Sequence, residues 1–270
     1  VILRLRSTKL GPIRFVGHRD MGRVWERVVR RLALPVVYSA GFTPRPRISF
    51  GLALPLGAES VAEYIDVELD GTVDLGAGLL TELSDAAPTG VDVTGAALLE
   101  RPVRSLQQTV TSTTWSLRIP EPGIDDERPA DAVARVLEAD EVSVTRVRKA
   151  QTSTDEVRAS IKDLWLGDHP GEVCAELSAL GRTLRPSELC SVLFERHDPA
   201  DVRIRRLAQW TCDDGSRREV LPLPDDVTAT PGRLRKDSDD RSTQFSIWRR
   251  HDPFIGSAAG RSGAVGVAEA

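Results

Sequence analysis

The sequence predicts an α+β protein made of two tandem ferredoxin-like (βαββαβ) units, the second with an extra strand, followed by a disordered C-terminal tail. Three observations lead there. Period-two alternation and three- and four-residue apolar spacing follow one another in the order βαββαβ, then recur after a polar joint. With 270 residues and 40% apolar content the chain can bury two cores of ordinary size. From about residue 224 the periodicity stops. The expected boundaries are a basic domain over 1–102, a second domain over 111–212 and a tail over 224–270.

Residues 1–6 alternate Ile2, Leu3 and Leu5 with Arg4 and Arg6, a half-buried strand. Over 18–33, Met21, Val24, Trp25, Val28 and Leu32 gather on one helical face. Residues 36–38 and 47–52 read as strands around the turn GFTPRP, and 64–69 as a further strand. A helix over 74–86 turns Leu75, Leu79, Leu80 and Leu83 inward, and a strand over 91–99 completes the unit.

In the second unit 113–119 is a strand, 120–129 a solvated connection and 130–139 a helix. Strands over 142–147, 156–165 and 172–180 follow, the last two joined by LGDHPG. Pro186 stands in the first turn of a helix over 186–195, where its missing N–H had no partner to lose. Residues 201–210 close the unit as a strand with Val202, Ile204, Leu207 and Trp210. The tail ends in SAAGRSGAVGVAEA and cannot repay the entropy of ordering. Its apolar island over 243–255, with Phe245, Ile247, Trp248, Phe254 and Ile255, reads first as chance and second as a short binding segment.

Charge is distributed unevenly. Residues 1–51 carry eleven Lys and Arg against Asp20 and Glu26, a net +9, so that 52–270 carry −13 within a chain of −4. Packing is indifferent to the sign of exposed charge, so an anionic partner is expected at the basic end. Cys174, Cys190 and Cys212 are odd in number and widely spaced, which suits neither a disulfide framework nor a zinc site. No signal sequence or membrane-length apolar run is read, and the expected setting is the cytoplasm.

On the first helix Arg19, Arg23, Arg27, Arg30 and Arg31 fall within an arc of about 120°, at 100° per residue, opposite the apolar face. Such a stripe follows phosphates. Pro44 and Pro46 stiffen the turn that carries Arg45 and Arg47. Arg19, Arg23, Arg27, Arg30, Arg45 and Arg47 are therefore the candidate polyanion contacts, with Tyr38, Phe42 and Phe50 as candidates for base or partner contact. Both helices of a βαββαβ unit cover one sheet face, leaving the other open for single-stranded RNA. Strand parity nevertheless puts Phe50 on the apolar side with Ile48 and Leu52. His18, beside Asp20, is the catalytic candidate as a general base; its rival role is a helix cap. No metal-ligand cluster or cofactor motif accompanies it.

The run GPIRFVGHRDMGRVWERVVRRLALPVVYSAGFTPRPRISFGLALPLGAES at 11–60 and EYIDVEL at 63–69 resemble the opening of the radical-SAM-linked family, a bacterial domain of unknown function fused to or encoded beside radical SAM proteins. Arg148-Lys149, Glu156-Val157-Arg158, LRPSEL at 184–189 and VRIRR at 202–206 extend the likeness to about residue 211. The family's basic run after Lys149 is diluted here to Ala150-Gln151-Thr152. The resemblance implies a radical SAM partner acting in trans. The three cysteines lack the close spacing that holds an iron–sulfur cluster, so the chain is expected to carry none.

The architecture is also similar to the RNA-processing nucleases of CRISPR systems, but the glycine-rich loop of their second unit has no counterpart in 184–210. The expectation is a non-catalytic accessory protein that binds RNA or a ribonucleoprotein for a radical SAM partner. A metal-independent nuclease using His18 and a pure protein-interaction module are the alternatives.

Overall fold

The computed structural model describes residues 1–221 except 77, 120–127, 149–150, 182 and 214. The chain divides into a unit Val1–Thr228 and a second unit Ala229–Ala270, and every described residue belongs to the first. The expected tail over 224–270, its island over 243–255 and most of the connection over 120–129 lie outside the described residues.

The described residues form a mixed α+β unit around one nine-stranded sheet. The strands are β1 (Ile2–Lys9), β2 (Ile48–Phe50), β3 (Glu59–Glu68), β4 (Val93–Leu99), β5 (Val110–Arg118), β6 (Ser143–Arg148), β7 (Gln151–Glu156), β8 (Ile161–Leu166), β9 (Glu172–Ser178), β10 (Arg203–Asp213) and β11 (Ser216–Glu219). The sheet runs β4-β1-β3-β10-β5-β9-β8, with β2 added to β3 and β11 to β10; β6 and β7 form a separate hairpin. All pairings are antiparallel except β3 with β10, which run parallel through Glu59↔Arg205 and Ser60↔Arg206. Strand β3 is shared along its length: its start pairs with β10 and its end, Ile65–Val67, with β2.

Five helices flank the sheet: α1 (His18–Arg31), α2 (Leu79–Ala86), α3 (Leu106–Thr109), α4 (Pro129–Glu138) and α5 (Pro186–Leu193). Helix α1 buries Met21, Val24, Trp25, Val28 and Val29 against Leu3 and Leu5 of β1 and Ile65 and Val67 of β3. Acidic Asp20 in its first turn and Arg30 and Arg31 in its last suit the helix dipole. It ends short of the expected residue 33, because Ala33 turns to φ +49°. Helix α2 also starts later than the expected residue 74; Gly76 and Gly78 disfavour helix there, and the Asp74 carboxylate instead accepts from the Gly76 N–H at 3.0 Å. In the other half α4 and α5 bury Ala132, Val133, Val136, Leu189, Cys190 and Leu193 against Trp115, Leu117, Leu164, Val173 and Ala175.

The expected strand over 156–165 is interrupted. The Glu156 carboxylate accepts from the Arg158 N–H at 2.6 Å and the Val142 N–H at 3.3 Å, folding Arg158–Ser160 into a 3-10 turn between β7 and β8. The second half therefore has the β6–β7 hairpin, and β11 as well, where one extra strand was expected.

The opposite face of the first half is not open throughout. Tyr64 and Ala62 of β3 lie beneath Leu106, Val220 and Leu221, and the Tyr64 hydroxyl donates to Glu219 at 2.9 Å. A cleft opens on this face beside the segment Arg101–Ser105.

Candidate functional site

An amphipathic helix on a sheet has only one way to place its charges. With five apolar side chains of α1 in the core, Arg19, Arg23, Arg27, Arg30 and Arg31 are all exposed on the outer surface. Asp20 accepts from Arg23 at 2.8 Å, and Glu26 stands 4.0 Å from Arg30. Exposed pairs of this kind contribute about 0–1 kcal/mol and leave the guanidiniums available. Among the described residues no carboxylate pairs with Arg19, Arg27 or Arg31, so the helix presents a net charge of +3.

The proline-stiffened turn is held by the Arg45 N–H donating to the Ser39 hydroxyl at 3.1 Å and by the Tyr38↔Pro46 bridge. Arg45 is exposed, as are Tyr38 and Phe42, the latter completely. Arg47 faces away from α1. Ile48 and Phe50 of β2 pack on the α1 side, so strand alternation sends Arg47 and Ser49 to the other face of the sheet. Arg47 is thus parted from Arg19, Arg23, Arg27 and Arg30 of α1.

On that second face Arg47 lies 3.5 Å from the Glu68 carboxylate, which Arg101 also reaches at 2.7 Å. Arg4 donates to both oxygens of Asp66 at 2.7 and 2.8 Å. Arg47, Asp66, Glu68 and Arg101 border the cleft, a space of about 740 Å³ that Arg104 lines too. Arg101 and Arg104 were missed in the sequence because they sit in an aperiodic stretch, one at the end of the first expected domain and the other just past it.

His18 opens α1 exposed, its ring edge-on to Phe50 with centroids 5.0 Å apart. Phe50 is thereby engaged with His18 and the core. Both border a narrow pocket of about 40 Å³ that also touches Lys9 and Glu63. The Lys9 ammonium donates to the Val16 carbonyl at 2.7 Å and the Arg14 carbonyl at 3.4 Å. Burial lowers its pKa from the ordinary lysine value, with Glu63 opposing and Arg206 reinforcing. Glu63 itself accepts from Arg206 at 2.5 Å. No nucleophile or second acid is held against His18 by a hydrogen bond among the described residues.

A further polar group joins the halves. Glu59 accepts from Arg205 at 3.1 and 2.8 Å and from the Gly11 N–H at 3.0 Å. Burial would raise its pKa, but the hydrogen bond and charge of Arg205, the Gly11 N–H and Arg203 together hold it below the usual carboxylate value. Sequence reading overlooked Glu59, Ser60 and Glu63 because polar residues in a strand resemble a loop.

Among the described residues no three His, Cys, Asp or Glu side chains gather as a metal site, and no helix is long and apolar enough to cross a membrane. Cys174 and Cys190 are buried, Cys212 exposed, and none is disulfide-bonded.

Residues 3–187 match the model of a family described as uncharacterized protein conserved in bacteria (DUF2344), and the chain belongs to that family. No curated protein matches it.

Proposed function

We propose that this member of the family binds single-stranded RNA, alone or within a ribonucleoprotein, along the exposed arginines of α1 and the Arg45 turn. It acts as a non-catalytic accessory protein in the cytoplasm for a radical SAM enzyme in trans. The supporting observation is the α1 surface: five exposed guanidiniums in one stripe, two of them paired only with exposed or half-exposed carboxylates. Phosphate tracking needs such donors at the surface and not locked in buried pairs. Phe42 and Tyr38, exposed beside Arg45, supply faces on which unstacked bases rest.

We further read the strand orders β4-β1-β3-β2 and β10-β5-β9-β8 as two ferredoxin-like units, with β6–β7 inserted in the second. In that reading the units correspond to the expected domains over 1–102 and 111–212, and the radical SAM partnership rests on the likeness of residues 11–60. The test is titration of a fluorescent single-stranded RNA at rising salt, for the full chain and for Arg19→Gln/Arg27→Gln/Arg31→Gln. Binding should weaken steeply with salt, with a log–log slope of about −0.7 per phosphate neutralised, and the variant should lose about two units of slope. A salt-independent affinity, or one unchanged in the variant, removes the RNA reading. Partner capture that survives nuclease treatment moves the stripe to a protein contact.

A further inference from the structure

The cleft on the other face uses a different set of arginines. Its volume of about 740 Å³ is in the range of small-ligand sites, roughly 300–1,000 Å³. Arg47 comes from the edge of β2, and Arg101 and Arg104 from the joint after β4, so the guanidiniums enter from two sides of one space.

The carboxylates on its border are already engaged. Both oxygens of Asp66 are taken by Arg4. Glu68 serves Arg47 and Arg101 together. A guanidinium has five N–H donors, and one carboxylate cannot occupy those of two. The Arg47 and Arg101 side chains are 52% and 54% exposed, which leaves donors facing the cleft. Arg104 is exposed and has no carboxylate partner among the described residues. Arg47, Arg101 and Arg104 line the cleft against Asp66 and Glu68, and Arg4 offsets Asp66 from outside the lining, so the group keeps a surplus of two positive charges.

That surplus matches a phosphate monoester, which carries about −1.5 to −2 at neutral pH and three strong acceptor oxygens. Ile2, Ile48, Pro102 and Val103 add apolar wall beside the arginines. A bare anion has no use for this wall, whereas a nucleoside does.

We propose that the cleft binds a nucleotide through its terminal phosphate monoester, with Arg47, Arg101 and Arg104 on the phosphate and the nucleoside against Pro102 and Val103. The ligand is a free nucleoside monophosphate or the phosphorylated end of an RNA strand. The site stands apart from the α1 surface, so either reading can fail without the other.

The experiment is calorimetric titration of the full chain with uridine 5′-monophosphate, uridine, inorganic phosphate, and a ten-residue oligouridylate with or without a 5′-phosphate. Arg101→Gln, Arg104→Gln and Arg19→Gln/Arg27→Gln/Arg31→Gln are compared, with thermal melting to verify folding. The monophosphate should bind more tightly than uridine and than phosphate. Each cleft variant should weaken it about tenfold or more, the consequence of losing one charge-assisted hydrogen bond, and the α1 variant should leave it unchanged. Preference for the 5′-phosphorylated strand over its unphosphorylated form identifies the strand end as the source; binding of the monophosphate without that preference identifies the free nucleotide. If neither the monophosphate nor the phosphorylated end is preferred over its unphosphorylated counterpart, or if Arg104→Gln melts normally and binds the monophosphate undiminished, the proposal is overturned.

Discussion

The Glu59 carboxylate receives both the Nε and a terminal nitrogen of Arg205 across the one parallel pairing of the sheet, at 3.1 and 2.8 Å. The two residues lie 146 positions apart, and the pair ties the β1–β4 half to the β5–β10 half where only two register pairs join β3 to β10. The Glu59 side chain is 4% exposed, so its loss would remove a buried acceptor from the Gly11 N–H and from two Arg205 donors at once.

Glu59→Ala should therefore lower unfolding stability by about 3 kcal/mol, as removal of one partner from a buried pair does. Because its carboxyl is held below the ordinary value, the unfolded chain takes up a proton first as the pH falls. The stabilisation is present above the unfolded pKa of about 4.3 and is lost as pH drops through the lower folded value. Urea midpoints from pH 7 to pH 3 check this. The gap between the wild type and Glu59→Gln should narrow towards the acid end, and a gap constant with pH would refute it.

Arg47 lines the cleft and Arg45, two residues earlier, does not, so their alanine variants should separate. Arg45→Ala should reduce the salt slope of RNA binding by about 0.7, one phosphate's worth. Arg47→Ala should leave that slope within error while weakening nucleotide binding in the cleft. Equal effects of both on RNA would mean that one ligand wraps the edge of β2.

On the accessory reading proposed above, His18→Ala should leave RNA intact in the presence of the protein, as should the wild type. What it removes is the edge contact with Phe50, a stability loss of about 0.5–1.5 kcal/mol. Gel analysis of incubated RNA decides between this and cleavage: scission by the wild type that disappears in His18→Ala would establish the nuclease alternative.

The thiols should titrate in two classes. Burial pushes Cys190 up to about 12 and Cys174 higher still, with Glu172 and Asp168 adding to the effect at Cys174, while Cys212 is exposed. A thiol-disulfide reagent at pH 8 should modify one cysteine quickly and all three only after denaturation. Rapid reaction of two in the native protein would contradict the buried placement.

Much of α1 was legible because its signal is local. Apolar residues three and four apart and arginines between them fix which side is buried before any partner is known. Strand β3 was half legible: residues 64–68 alternate visibly, whereas buried Glu59 and half-buried Glu63 are polar residues whose partners arrive from β10 and the Gly11 turn. Hydropathy has no means of distinguishing such residues from a loop. The same holds for β11, whose register is supplied by β10, and for α3, a single turn seated by Leu106 over Tyr64.

The sequence by itself determined a basic amphipathic helix, an α+β chain and an acidic remainder, because periodicity and net charge need no long-range information. Only the tertiary structure decided which arginines share a surface. Strand alternation turns Arg47 to the sheet face opposite Ile48, Phe50 and α1, and the joint after β4 brings Arg101 and Arg104 to the same cleft. The physical reason is that side-chain direction follows from local backbone geometry, whereas proximity across 54 residues, as between Arg47 and Arg101, follows from the pairing of β2 and β3 and from where β4 ends.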